Sequence, residues 1–168
     1  FFINSQKQIN VYADSATSKY LKHNFSYCFK SFSKEYPATL KLNKIKKNLI
    51  SFDNNKKVYI KPILVEHGKV QSICYIINKK IAYITDVSEI YKKDFQHFKN
   101  LNYLIIDCLW YKYHPSHLNL EKSLYFIKKF KPKKAILSNL SPVLDYKQLK
   151  ELLPSNVVPA HDGLTISL

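Results

Sequence analysis

His67 and Asp86 are the residues best placed for chemistry, because each stands where an apolar, strand-like run stops. The first run closes with Val65-Glu66-His67-Gly68 and the second with Ile84-Thr85-Asp86-Val87. An imidazole and a carboxylate at two strand ends are donors suited to a divalent metal, and a metal-activated water is a hydrolytic nucleophile. Each residue also has a plainer role open to it. Asp86 is placed to cap a helix beginning near Ser88, and a lone histidine often serves as a structural hydrogen-bonding group. Gly68, beside His67, permits a tight turn or the close approach of a ligand.

A second group lies downstream. His114 and His117 bracket Pro115-Ser116 in a loop that follows the apolar run Leu104-Ile105-Ile106-Asp107. Their spacing is compatible with a shared metal only if further ligands join them. Asp107 is expected to be buried near the same edge, where burial raises its pKa unless a cation or hydrogen bonds hold it ionised. Tyr111-Lys112-Tyr113 offers stacking and phosphate contact, although so short an aromatic-basic run also serves as surface packing.

Other chemistries lack their residues. Gly68 and Gly163 are the only glycines, so no phosphate-binding glycine loop of the Rossmann or P-loop kind exists. There is no Gly-x-Ser-x-Gly elbow. Cys28, Cys74 and Cys108 are odd in number and widely spaced, with no CxxC pair, and read as reduced thiols, two of them inside apolar runs.

The elements that position these residues follow from periodicity. Ile9 to Ala13 reads as a strand, with Asp14 capping a helix to about Phe29. Leu40 to Phe52 alternates apolar residues with Lys and Asn, as one half-exposed strand would. Val58 to Val65, Val70 to Ile77 and Lys80 to Asp86 are β-rich, and Asn78-Lys79 makes a hairpin turn between the last two. From Ser88 a helix is expected, then a buried strand over Leu101 to Asp107. Leu120, Leu124 and Ile127 stand at helical spacing, Lys134 to Leu137 is a strand, and Asp145 caps a helix carrying Leu149, Leu152 and Leu153. Val157 to His161 and Leu164 to Leu168 flank Asp162-Gly163, a hairpin signal. The fold class is α/β, a mixed sheet with helices outside, antiparallel in its first half and β-α-β in its second.

Composition sets the outer bounds. The 168 residues, 46% hydrophobic and 14% aromatic, suffice for one packed domain spanning 1–168. The net charge of +15 comes from 27 basic residues, all Lys, against 12 acidic ones. Such an excess suits an anionic ligand, and an A- and T-rich genome would also produce it. No apolar run approaches the ~18 residues of a membrane span, and Phe1 to Asn4 is too short for a signal peptide. A cytoplasmic protein without a membrane partner is expected. The chain begins at Phe1 and contains no Met, which reads as the C-terminal portion of something longer.

Taken in order, Val65-Glu66-His67-Gly68, Ile81 to Ser88, Leu104 to Asp107 with His114 and His117, and Pro159-Ala160-His161-Asp162-Gly163-Leu164 resemble the metallo-β-lactamase superfamily. The branch they resemble contains the cyclic-phosphate phosphodiesterases of phosphonate breakdown, relatives of the tRNA 3′-processing nucleases. The resemblance implies an αββα sandwich, N-terminally incomplete, holding two divalent metal ions, zinc or manganese. It implies that His67 ligates one metal, that Asp86 bridges both, and that His117 is the catalytic histidine beside the scissile phosphate. Two departures accompany the match. The family's His-x-His-x-Asp-His motif is not in the chain and would lie upstream of residue 1. The last histidine ligand falls in Ser138-Asn139-Leu140-Ser141, leaving Asn139 as a weak ligand and His161 as a substitute.

Three functions follow. The intact protein is expected to be a metal-dependent hydrolase acting on an anionic phosphodiester, a cyclic phosphate or related small diester, with this chain alone inactive. The alternatives are a catalytically silent relative and a basic nucleic-acid-binding module whose affinity falls steeply with salt. Nucleic acid is thus a second candidate partner. The oligomeric state is open, a homodimer included.

Overall fold

The computed structural model describes residues 7–53 and 56–167, which form two compact units, 1–47 and 48–168. Phe1 to Asn4, read as too short for a signal peptide, lie outside the described residues, as does Leu168.

In the first unit strand β1 (Ile9–Ala13) pairs in parallel with β2 (Leu40–Lys44). Asp14 caps helix α1 (Ser15–Asn24), its Oδ1 accepting from the Ala16 and Thr17 amides at 2.7 and 3.0 Å. The single helix expected to run to Phe29 breaks at Phe25, whose non-helical backbone (φ −127°, ψ 35°) separates α1 from a short α2 (Ser26–Phe29).

The run from Leu40 to Phe52 is not one strand. It divides into β2 and β3 (Leu49–Asp53), which belong to different sheets and different units. Alternation reports a half-buried strand but carries no information about where pairing partners change.

The second unit is a seven-stranded sheet in the order β3, β4 (Lys56–His67), β5 (Val70–Ile77), β6 (Ile81–Ile84), β7 (Tyr103–Asp107), β8 (Lys134–Ser138) and β9 (Val157–Pro159). Pairing is antiparallel from β3 to β6 and parallel from β6 to β9, the division expected from the sequence. Asn78 and Lys79, both at positive φ (51° and 56°), close the β5–β6 hairpin as a primed turn requires.

Across the sheet the buried residues align. Ile76, Ala82, Leu104, Ala135 and Val157 form one registered row, and helix α3 (Leu120–Phe130) packs Phe126, Ile127 and Phe130 onto the same core. Leu149 of helix α4 (Tyr146–Leu152) joins it. The helix expected from Ser88 is only a 3-10 turn, Lys92–His97, which nevertheless places Phe95 and Phe98 against α3.

The C-terminal hairpin does not form among the described residues. β9 pairs only with β8, in parallel, and the chain turns at Gly163 (φ 83°) without a returning strand. No helix among the described residues is long and apolar enough to cross a membrane.

Candidate metal centre

Strand direction brings the polar residues together. β4 and β6 both pair antiparallel with β5, so they run the same way, and β7 and β8 are parallel to β6. Four carboxyl ends therefore share one edge of the sheet. His67 ends β4, Asp86 follows β6, Asp107 ends β7 and Asn139 follows β8. The edge beyond the carboxyl ends of such strands is where α/β sheets place ligands.

His67, Asp86 and His117 converge there, one donor atom of each lying within 4.8 Å of the others. Both imidazoles are held from behind. His67 Nδ1 lies 2.6 Å from the Ser116 carbonyl, and His117 Nδ1 lies 2.8 Å from Asp107 Oδ2. A carbonyl or carboxylate can only accept, so each ring donates from Nδ1 and keeps an Nε2 lone pair for a ligand. The two rings meet edge to face at 4.7 Å.

Asp107 is fully buried while His117 keeps 17% of its side chain exposed. Burial pushes the Asp107 pKa up, and the Leu118 amide (3.0 Å), His117 and Asn139 act against that rise. Its Oδ1 has no hydrogen-bond partner, and the Asn139 amide nitrogen donates to the Thr85 carbonyl. Ser123 on α3 donates to the Asp107 carbonyl at 2.6 Å and fixes the strand end to the helix.

Gly68 makes the loop fit. At φ 64° it lets Ser116 approach so closely that an added Cβ would sit 2.9 Å from the Ser116 Cβ. Its amide donates to Ser88 Oγ at 3.0 Å. Asp86 is exposed, its carbonyl accepting from the Ser72 hydroxyl. His114 does not join the cluster. Its Nδ1 accepts from the Ser116 amide at 3.3 Å.

Asn139 adopts a left-handed φ of 59° and donates its amide nitrogen to the Thr85 carbonyl. His161 packs its ring on Tyr146 at 6.0 Å, and it is not a member of the cluster. Two residues unremarked in the sequence also shape the site. Lys122 Nζ binds Glu89 Oε2 and the Ser88 carbonyl, each at 2.7 Å, and both flank a cavity of about 240 Å³ beside His117. Nothing local distinguishes this lysine from the other 26, so only the fold reveals it.

Imidazole and carboxylate donors this close together suit a divalent ion, and donors too few to fill its coordination leave positions for water and substrate. The fold and this strand-end cluster define a metallo-β-lactamase-type α/β protein. A family model described as the beta-lactamase superfamily domain matches residues 2–138, and the chain belongs to that family.

Among solved structures, a diphosphatase from the PhnP family is 26% identical with a TM-score of 0.85, covering 100% of this chain and 62% of its own. Human tRNase Z, short form, is 15% identical with a TM-score of 0.62, over 97% of this chain and 68% of its own. Zn(2+)-bound PqqB from Methylobacterium extorquens is 14% identical with a TM-score of 0.73, over 99% of this chain and 67% of its own. The last two share the fold alone. The chain thus spans 62% of the length of the PhnP-family diphosphatase. No curated protein matches it in sequence.

Proposed function

We propose that the whole protein is a metal-dependent hydrolase whose substrate is a small anionic phosphodiester, such as a cyclic phosphate. The observation that carries this reading is the convergence of His67, Asp86 and His117 with both imidazoles anchored at Nδ1. The likeness to a PhnP-family diphosphatase supports cleavage at phosphorus. The modest cavity beside His117 favours a small diester over a nucleic-acid chain.

His67 and Asp86 would hold the ion. A divalent cation there lowers the pKa of water and neutralises the charge of a phosphodiester. His117 handles the leaving-group proton. Asp107 behind it fixes the tautomer, keeps Nε2 facing the cavity and stabilises the imidazolium when it forms. A second ion, zinc or manganese like the first, needs donors beyond these three, with Asn139 as the nearby candidate.

Equilibrium dialysis against zinc and manganese tests the ligand assignment. About one ion per chain is expected from the His67 and Asp86 donors, lost in His67→Ala and Asp86→Asn and retained in His117→Gln. Loss of the ion from His117→Gln would make that residue a ligand and remove its proton-handling role. In the whole protein, His117→Gln is expected to slow diester hydrolysis by roughly 10²–10⁴-fold, the usual worth of a positioned acid-base group. A metal-loaded whole protein that cleaves no cyclic or linear diester would sink the hydrolase reading.

A further inference from the structure

At the other end of β4 the buried face of the sheet carries a charge. The row Ile76, Ala82, Leu104, Ala135 and Val157 is apolar throughout, and the residue that continues it on β4, paired with Ile76, is Lys61. A half-buried ammonium in such a row needs polar partners. What Lys61 has is another basic group, His97, whose Nε2 lies 2.8 Å from Nζ. An ammonium has three protons to donate, and an imidazole nitrogen accepts one.

Lys61 and His97 face a groove of about 850 Å³, lined also by Tyr59, Lys79, Lys99 and Leu101. Gln96 and Asn48 are neutral polar groups in its wall, and among the described residues no carboxylate lines it. Among the described residues none of the three lysines is in a salt bridge. The volume lies within the range of small-molecule sites. Tyr59, on the same face as Lys61 and 54% exposed, presents a ring, and Ile76 and Leu101 supply an apolar floor. The groove is separate from the metal centre, since Lys61 and His67 stand about 20 Å apart along one extended strand.

We propose that this groove binds a small organic phosphate with a planar aromatic body, a mononucleotide in chemical class. The phosphate takes the unspent donors of Lys61 and contacts Lys99 and Lys79, and the planar body lies on Tyr59 and the apolar floor. The charge pattern excludes a cationic ligand, and the apolar floor distinguishes the site from a bare anion contact.

Calorimetric titration of the metal-free chain with AMP, adenosine and inorganic phosphate tests this. AMP is expected to bind more tightly than either part. Lys61→Gln and Lys99→Gln should each weaken AMP by about tenfold, as loss of a charge-assisted contact does. Lys122→Gln, in the cavity beside His117, should leave AMP binding unchanged. Lys99 is exposed, so its variant keeps the test decisive if Lys61→Gln fails to fold. Absence of AMP binding, or AMP binding indifferent to both groove substitutions, overturns the proposal. Phosphate binding as tightly as AMP overturns the aromatic part of it.

Discussion

Gly68 has the tightest steric constraint at the metal centre. Its positive φ and the 2.9 Å clash awaiting any Cβ are independent penalties, and both fall on the contact that holds Ser116 over His67. Gly68→Ala is expected to destabilise the protein by roughly 1–3 kcal/mol, measured by urea unfolding, because left-handed backbone is costly for a residue with a Cβ. It should also weaken metal binding, since His67 then loses the acceptor that fixes its ring. The glycine was readable as a turn or a close approach, but the object approached, Ser116, lies 48 positions away in the chain and left no local mark. The same holds for Asp107 and His117. Each was singled out, but nothing in their spacing showed that they share a hydrogen bond.

Helix α3 acts through its first turn. Asn119 Oδ1 accepts from the Lys122 amide at 3.0 Å, and Lys122 in turn braces the Ser88-Glu89 segment. Asn119→Ala is expected to cost about 1 kcal/mol, the usual worth of an N-cap, measured by thermal or chemical unfolding. The short elements reward attention too. The Ser88 to Lys99 segment carries apolar residues at near-helical spacing, yet Ser88 donates to the Glu66 carbonyl and Glu66 to Glu89, so its start is spent bridging to β4. Only Lys92–His97 remains free to coil. Local periodicity signalled a helix, and a tertiary pairing replaced most of it.

For the molecule as a whole, the cysteines report burial. The thiols of Cys74 and Cys108 are pushed up to about 12 by desolvation, whereas Cys28 is half-buried. Native protein at pH 8 is therefore expected to alkylate at Cys28 first, with Cys74 and Cys108 reacting only on unfolding, as peptide mapping would show. The sign of the pH effect follows. A thiol raised in the folded state contributes stability that is complete below its unfolded value of about 8.5 and is lost as pH rises toward the folded value. Denaturation midpoints should fall above that pH, and a flat profile to pH 11 would contradict the burial. The antiparallel-then-parallel order of the sheet was legible in the chain because pattern is a local property, and His67 and Asp86 drew attention by their places where strands stop, whereas His117 took its role from the family resemblance. The division of residues 40–52 between two sheets, the lack of a C-terminal hairpin among the described residues, the Asp107–His117 pair and the Lys61 groove were not legible. Each depends on which distant segment a backbone or side chain meets, and that is set by packing and strand direction.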